Sequence, residues 1–330
     1  MPMNIISADQ IPDIADIILA KQRINEQIRT TPVLSDPQLN AVLGCELWLK
    51  CENLQHTGAF KFRGASNAIA ILDEMGRPGD VATHSSGNHG AALALAASTH
   101  GRRAWVVMPE NSVKTKIEAV RRNGGEVVFC PSNQQAREKG LAKLVAKDCI
   151  PVPPYDHAHI ICGQGTATIE MTEQIQGLDI VLTPVGGGGL ISGSAIAARA
   201  MISGVKVIGA EPAGAADTAL SLSQGTRVDQ FPVDTIADGL RAIVGILNFE
   251  IIRDNVTKVI TVSEEGIVEA MALIWLHFRM LVEPSSATVV AAILASPEDF
   301  TNCRVGAIIS GGNVDLEHLP FRVDTTLEKA

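Results

Sequence analysis

With 330 residues, 46% of them apolar and 19% charged, the chain can bury a large core, most naturally in two domains. A net charge of −9 argues against nucleic acid and anionic membrane as partners, since both need a basic face. The cysteines Cys45, Cys51, Cys130, Cys149, Cys162 and Cys303 form no CxxC pair, which excludes a zinc ribbon and a disulfide framework and fits a reducing compartment. The start carries no basic segment followed by an apolar stretch, and no uncharged apolar run approaches a membrane span, so a cytoplasmic protein is expected.

Along the chain, β-rich runs alternate with amphipathic helical runs, the mark of an α/β fold with mostly parallel strands. A helix is predicted over 13–28 and a short strand over 46–50. A helix over 61–75, a strand over 81–84, a helix over 91–100 and a strand over 104–108 follow. Next come a helix over 114–123, a strand over 126–130 and a helix over 134–147. Beyond Tyr155 the alternation resumes with a helix over 163–176, a strand over 179–185, a helix over 190–202 and a strand over 205–210. A long helix over 264–281 and a strand over 305–310 close the series. The three strand–helix units between about 80 and 155 suit a small sheet of their own, and the Pro151-Val-Pro-Pro154 cluster is a boundary signal.

Four segments carry chemistry. In Gly58-Ala-Phe-Lys61-Phe-Arg63-Gly64, a lysine between two phenylalanines and beside an arginine is set up to lose its proton. Desolvation and a neighbouring cation both disfavour the ammonium form, leaving an amine able to form a Schiff base with an aldehyde. Ser85-Ser-Gly-Asn-His-Gly90 opens a helix after a strand; its free N–H groups suit a carboxylate, or its Ser and Asn serve only as caps.

The run Gly186-Gly187-Gly188-Gly189 again lies between a strand and a helix, where backbone amides can reach a phosphate unobstructed. No GK[ST] follows, so this is not a nucleoside-triphosphate loop. A dinucleotide site would find its acid in Glu211, but the spacing from Gly187 and Gly189 reaches Ser192 rather than a third glycine. The fourth segment, Ser310-Gly-Gly-Asn313, places one hydroxyl at the end of the last predicted strand.

Taken in this order, these segments resemble the β-family (fold type II) of pyridoxal-phosphate enzymes, and within it the branch of serine racemases and threonine/serine or 3-hydroxyaspartate dehydratases. The resemblance runs from about Arg29 to Asp315 and includes Lys50-Cys-Glu-Asn-Leu54, Thr57-Gly-Ala-Phe-Lys-Phe-Arg-Gly64 and Gly163-Gln-Gly-Thr166. It implies a two-domain, tryptophan-synthase-β-like α/β fold with mostly parallel open sheets flanked by helices. Residues 1–75 and 156–330 would form the large cofactor domain, and 80–155 a small domain closing over the substrate.

The resemblance further implies that Lys61 carries pyridoxal 5'-phosphate, with Phe60 beside the ring and Asn88 at its 3-hydroxyl. Gly186, Gly187, Gly188 and Gly189 would cradle the phosphate, and Ser310 would face the ring nitrogen. Ser85, Ser86, Gly87, Asn88 and His89 would hold the substrate carboxylate, with Ser86 a second proton-exchanging group opposite Lys61. Arg137 matches a position able to meet a distal carboxylate, and Arg241 is a further candidate. Glu211, the Ala215 carbonyl and Asp217 would hold Mg²⁺ or Ca²⁺, for which all-oxygen ligation is suitable.

A hydroxyl rather than a carboxylate at the ring nitrogen leaves the ring a weaker electron sink, which favours β-elimination over transamination. The expected activity is therefore loss of ammonia from a small β-hydroxy amino acid, serine, threonine or 3-hydroxyaspartate, by a homodimer. An amino-acid racemase is the nearest rival. A catalytically silent binding homologue and a nicotinamide oxidoreductase are weaker readings, the first because a binding module needs no Schiff-base lysine.

Overall fold

Two sheets, parallel but for one edge strand, organise the computed structural model, which describes residues 5–85, 87–316 and 319–320. In chain order the strands are β1 (Val33–Leu34), β2 (Glu46–Cys51), β3 (Val81–His84), β4 (Ala104–Pro109) and β5 (Gly125–Cys130), then β6 (Ile150–Pro151), β7 (Ile180–Pro184), β8 (Lys206–Pro212), β9 (Lys258–Val262) and β10 (Arg304–Ile309). The larger sheet runs β1-β2-β10-β7-β8-β9, with β1 antiparallel to β2 and every other pair parallel. The smaller runs β5-β4-β3-β6 and is wholly parallel. Helices cover both, as parallel strands buried on two faces require.

The alternation predicted this pattern well where the runs are long. Shorter elements escaped it: the edge strand β1, the helix Pro37–Leu43, β6, which ends on the first residue of the proline cluster, and β9. The helices Asp217–Gln224, Ile246–Asn255 and Pro284–Ala295 escaped it too. The helix predicted over 163–176 starts five residues earlier, at Ala158, because His157 supplies an N-cap through Nδ1. The long helix over 264–281 stops at Phe278, where Arg279 turns left-handed at φ 58°.

Helix Lys61–Glu74 bridges the two sheets. Its Phe62, Ala65, Ile69 and Leu72 join the apolar cluster of Val81, Val106 and Met108 from the small sheet. Its other side crosses helix Ala158–Gln174 closely, since a Cβ on Gly163 would sit 2.5 Å from the Cα of Gly64. Only glycine permits that crossing, which explains the glycine spacing of both motifs.

Beneath the crossing lies a buried ionic cluster. Arg63 donates to Glu52 at 2.7 and 2.8 Å and to Glu170 at 3.1 Å. Lys50 donates to Glu170 at 2.5 Å and to the Thr31 carbonyl at 2.7 Å. Thr31 donates its hydroxyl to Glu52 at 2.6 Å and its N–H to Glu170 at 2.9 Å. The side chains of Lys50, Arg63 and Glu52 are fully buried. Removing Arg63 leaves two buried carboxylates with one cation between them. Arg63→Met is expected to destabilise the fold by about 3–5 kcal/mol, read from the midpoint of urea unfolding. A midpoint unchanged from wild type would mean that the cluster is not needed.

Candidate active site

Both sheets direct the C-terminal ends of their strands toward one cleft, and the chemically marked segments lie there, as open parallel sheets generally arrange. Lys61 is the first residue of its helix, held at the cleft by two flanking contacts: the Phe60 N–H donates to the Ser310 carbonyl at 2.9 Å, and Ala59 bridges to Gly311. The Lys61 Nζ donates to the Pro154 carbonyl at 2.8 Å and lies 5.1 Å from the centre of the Phe60 ring. Desolvation lowers its pKa to about 8, against the opposing pull of Glu283.

The expected help from Arg63 is absent, because that guanidinium is turned away and neutralised by Glu52 and Glu170. Phe62 likewise points into the small-sheet core rather than toward the amine. The amine's character therefore comes from burial.

Asn88 heads the helix Asn88–Thr99. Its amide donates to both oxygens of Glu283 at 3.0 and 2.9 Å and accepts from Asn313 at 2.9 Å. Asn313 also donates to the Thr57 carbonyl at 2.8 Å, so three distant motifs meet at one point. Ser310 is buried, and its hydroxyl lies 3.0 Å from that of Ser286. Ser85 accepts from the Gly87 N–H at 3.2 Å. Ser86 falls outside the described residues.

His89 is buried, with Nε2 at 3.1 Å from the Val152 carbonyl and Nδ1 without a partner. Desolvation first, and Lys61 second, push its pKa down to about 3, so the ring is neutral. With its proton directed at Val152, the neutral ring has no second N–H to donate, and its backbone N–H lies in the unpaired first turn of the helix.

The glycine run forms the bend between β7 and helix Gly189–Met201. Gly188 takes φ +92°, and a Cβ on Gly187 would collide with the ring of Tyr155. The Gly187 carbonyl is pinned by the Asn248 amide at 2.8 Å and the Gly245 N–H at 3.1 Å. No acid occupies the first turn of this helix, so its positive end is free for an anion. A lysine amine, a side-chain-free amide cradle and a buried hydroxyl on one cleft fit a phosphorylated aldehyde of the pyridoxal type.

Of the two arginines, Arg241 is engaged with the Thr235 carbonyl at 2.7 and 3.2 Å. Arg137 is half-buried, its Nε has no partner, and its charge is felt at His84 and Tyr155 beside the cleft.

Glu211, at the end of β8, accepts from the N–H groups of Thr218 and Ala219 at 3.2 and 3.0 Å. Asp217 accepts from the Val244 N–H at 2.8 Å. Burial raises both pKa values, that of Glu211 to about 8 with the Asp217 charge adding to it. Among the described residues no group of three or more acidic, histidine or cysteine side chains gathers for a metal, so any cation here would draw on carbonyls or water as well.

Sequence reading missed Glu283, Tyr155, Asn248 and Lys116. Glu283 had a signal: it is a lone acid in the apolar stretch from Met280 to Leu294. Lys116 packs toward Glu283 and pairs with Asp238, contacts no local pattern reveals.

Comparison with known proteins is concordant. A family model described as pyridoxal-phosphate dependent enzyme matches residues 24–311. A serine racemase from Dictyostelium discoideum is 45% identical over 92% of this chain and 95% of its own length. A beta-hydroxyaspartate dehydratase from Paracoccus denitrificans is 42% identical over 94% of this chain and 99% of its own. A crystal structure of serine racemase from Dictyostelium discoideum superposes with a TM-score of 0.88, at 45% identity, covering 93% of this chain and all of that one. No described helix is long and apolar enough to cross a membrane. The chain belongs to the pyridoxal-phosphate dependent enzymes, with the fold of their second structural type.

Proposed function

We propose that the chain is an ammonia-lyase that removes ammonia from a small β-hydroxy amino acid, leaving a 2-oxo acid, the water lost in β-elimination being taken up again when the resulting enamine hydrolyses. The observation that carries this reading is the pairing of a desolvated Lys61 amine with the Ser310 hydroxyl across one cleft, with no carboxylate at the Ser310 position. The bound cofactor supplies an aldehyde that captures the substrate amine and a ring that draws electrons from the α-carbon. Lys61, with a pKa near neutrality, takes the α-proton. The first-turn N–H groups around Asn88 and His89 orient the α-carboxylate, and the glycine run holds the phosphate. Arg137, whose Nε has no partner, would meet a distal carboxylate, a reading that favours 3-hydroxyaspartate among the candidates. The beta-hydroxyaspartate dehydratase relative supports the same choice.

A racemase remains the second reading, supported by the serine racemase relative and by Ser86 as the second proton-exchanging group. The test is an assay for 2-oxo acid across L-serine, L-threonine and the 3-hydroxyaspartate isomers, with D-serine followed in parallel. We expect 3-hydroxyaspartate to be turned over best. Arg137→Ala should raise its KM by about tenfold or more while changing serine turnover little, as loss of one charge-assisted contact implies. Accumulation of D-serine with no 2-oxo acid from any substrate would reverse the assignment.

Proton transfer has its own signature. Activity should rise with pH along a limb centred near the lysine value of about 8, because the neutral amine is the competent form. Glu283 favours the ammonium form, so Glu283→Gln should move that limb to lower pH. A limb that stays put or moves upward would remove Glu283 from this role.

We also propose that Glu211, Asp217 and the Ala215 carbonyl bind Mg²⁺ or Ca²⁺. The folded pKa of Glu211 lies above its ordinary value of 4.5, so without a cation stability falls as pH rises from about 4.5 to about 8. At a hundredfold excess over Kd a cation restores about 2.7 kcal/mol. Melting temperature in EDTA should therefore decline across that window and recover with millimolar Mg²⁺ or Ca²⁺. The Glu211→Gln/Asp217→Asn pair should flatten both responses. A wild-type melting temperature indifferent to EDTA and to both ions would rule the site out.

A further inference from the structure

Helix Lys114–Arg122 joins β4 to β5 and is lightly held: Val120 is its one buried residue, set close to Gly90 of helix Asn88–Thr99. A lysine on such a helix normally keeps its ammonium in water, and Lys114 is exposed. Lys116 is not. Its side chain is only 16% exposed, passes over Gly87 and ends on the carboxylate of Asp238. A Cβ on Gly87 would stand 3.1 Å from the Lys116 Cδ and 3.4 Å from its Nζ, so stem and ammonium both lie against that residue. Glu283 attracts the same ammonium and Arg241 repels it. Asp238 belongs to the opposite side of the cleft. It opens the turn Asp238–Leu240, anchored where Gly239 donates its N–H to the Ser285 hydroxyl at 3.0 Å. The same turn walls the glycine run, since a Cβ on Gly186 would sit 2.9 Å from the Cα of Leu240. The ion pair therefore joins a helix of the small sheet to the wall of the anion cradle, with Gly87, the residue that caps helix Asn88–Thr99, held beneath it.

We infer that Lys116 and Asp238 form a clasp across the cleft, and that Lys116 is a positioning residue for the first turn of helix Asn88–Thr99, where the substrate's α-carboxylate is received. An ion pair on the surface contributes little, because water competes for both charges. Here the ammonium is largely withdrawn from water, and without Asp238 it would be a desolvated cation facing Arg241. Opening the cleft at this point breaks the pair, so the pair favours the closed arrangement. Its stem presses on Gly87, which fixes where the following N–H groups point. The clasp stands on geometry alone, while its effect on an amino-acid ligand rests on reading that turn as the α-carboxylate site.

The test is a double-mutant cycle of Lys116→Met, Asp238→Asn and their combination in cofactor-saturated enzyme. Without ligand, hydrogen exchange across 114–122 should quicken about fivefold in each single variant, because Val120 alone then holds the helix, while exchange in β7 and β8 stays as in wild type. Two amino acids without a β-leaving group, glycine and L-aspartate, are then titrated by cofactor absorbance. Each single variant should weaken both by about fivefold and by the same factor, since the α-carboxylate is common to the two. The double variant should be no worse than the worse single one, as expected of two groups that act as a unit. Additive effects, or unchanged exchange over 114–122 in either single variant, overturn the clasp. A loss confined to L-aspartate makes Lys116 a ligand of the distal carboxylate and overturns its positioning role. Faster exchange with both affinities unmoved, or a wild type that binds neither amino acid, overturns that role as well. Failure of every β-hydroxy amino acid to turn over counts against the proposed reaction alone, since neither probe requires it.

Discussion

Burying Lys50, Glu52, Arg63 and Glu170 together is tolerable only if each charge is met in a fixed geometry, because isolated ions at this depth would cost several kcal/mol each. That requirement ties β2, helix Lys61–Glu74 and helix Ala158–Gln174 to one arrangement. The helix that begins with Lys61 cannot rotate without breaking the bidentate contact of Arg63 two residues on. The amine's aim at the cleft is in this sense a by-product of an ionic lock on the other side of the same helical turn.

The cleft uses burial in two opposite ways. At Lys61 it disfavours the ammonium form of a lysine; at Glu211 and Asp217 it disfavours the ionised form of two carboxyl groups. Glu283 connects the first of these to the rest. It is clamped by the Asn88 amide, faces Lys61 and Lys116, and has room because Gly311 carries no side chain.

Much of this was legible in the sequence where chemistry is local. The glycine run had to be a bend before a helix, and Lys61 lay beside Phe60, whose ring does lie against its amine. The strands predicted over 81–84, 104–108 and 126–130 became β3, β4 and β5 of one small sheet. What the sequence hid depends on contacts between distant segments. Arg63 looked like a neighbour of Lys61 because they are two residues apart, yet on a helix that spacing sends side chains to different faces. The ring of His89 is held by the carbonyl of Val152, 63 residues away, a contact that no local pattern reveals. Glu283 could not be placed at all until the sheet brought Gly311 beside it. Short elements such as β1 and β6 gave too few residues for a period to register.

The strand order has a consequence for how the molecule is made. β10 is the last of the ten described strands but lies in the interior of the large sheet, between β2 and β7. Until residue 309 has left the ribosome, β2 and β7 each present a bare hydrogen-bonding edge, and Ser310 and Asn313 are missing from the cleft. The small sheet, complete by residue 151, meets no such delay. During synthesis the chain therefore passes through a long interval with one finished sheet and one split open, the state in which exposed strand edges invite association and chaperones find their hold.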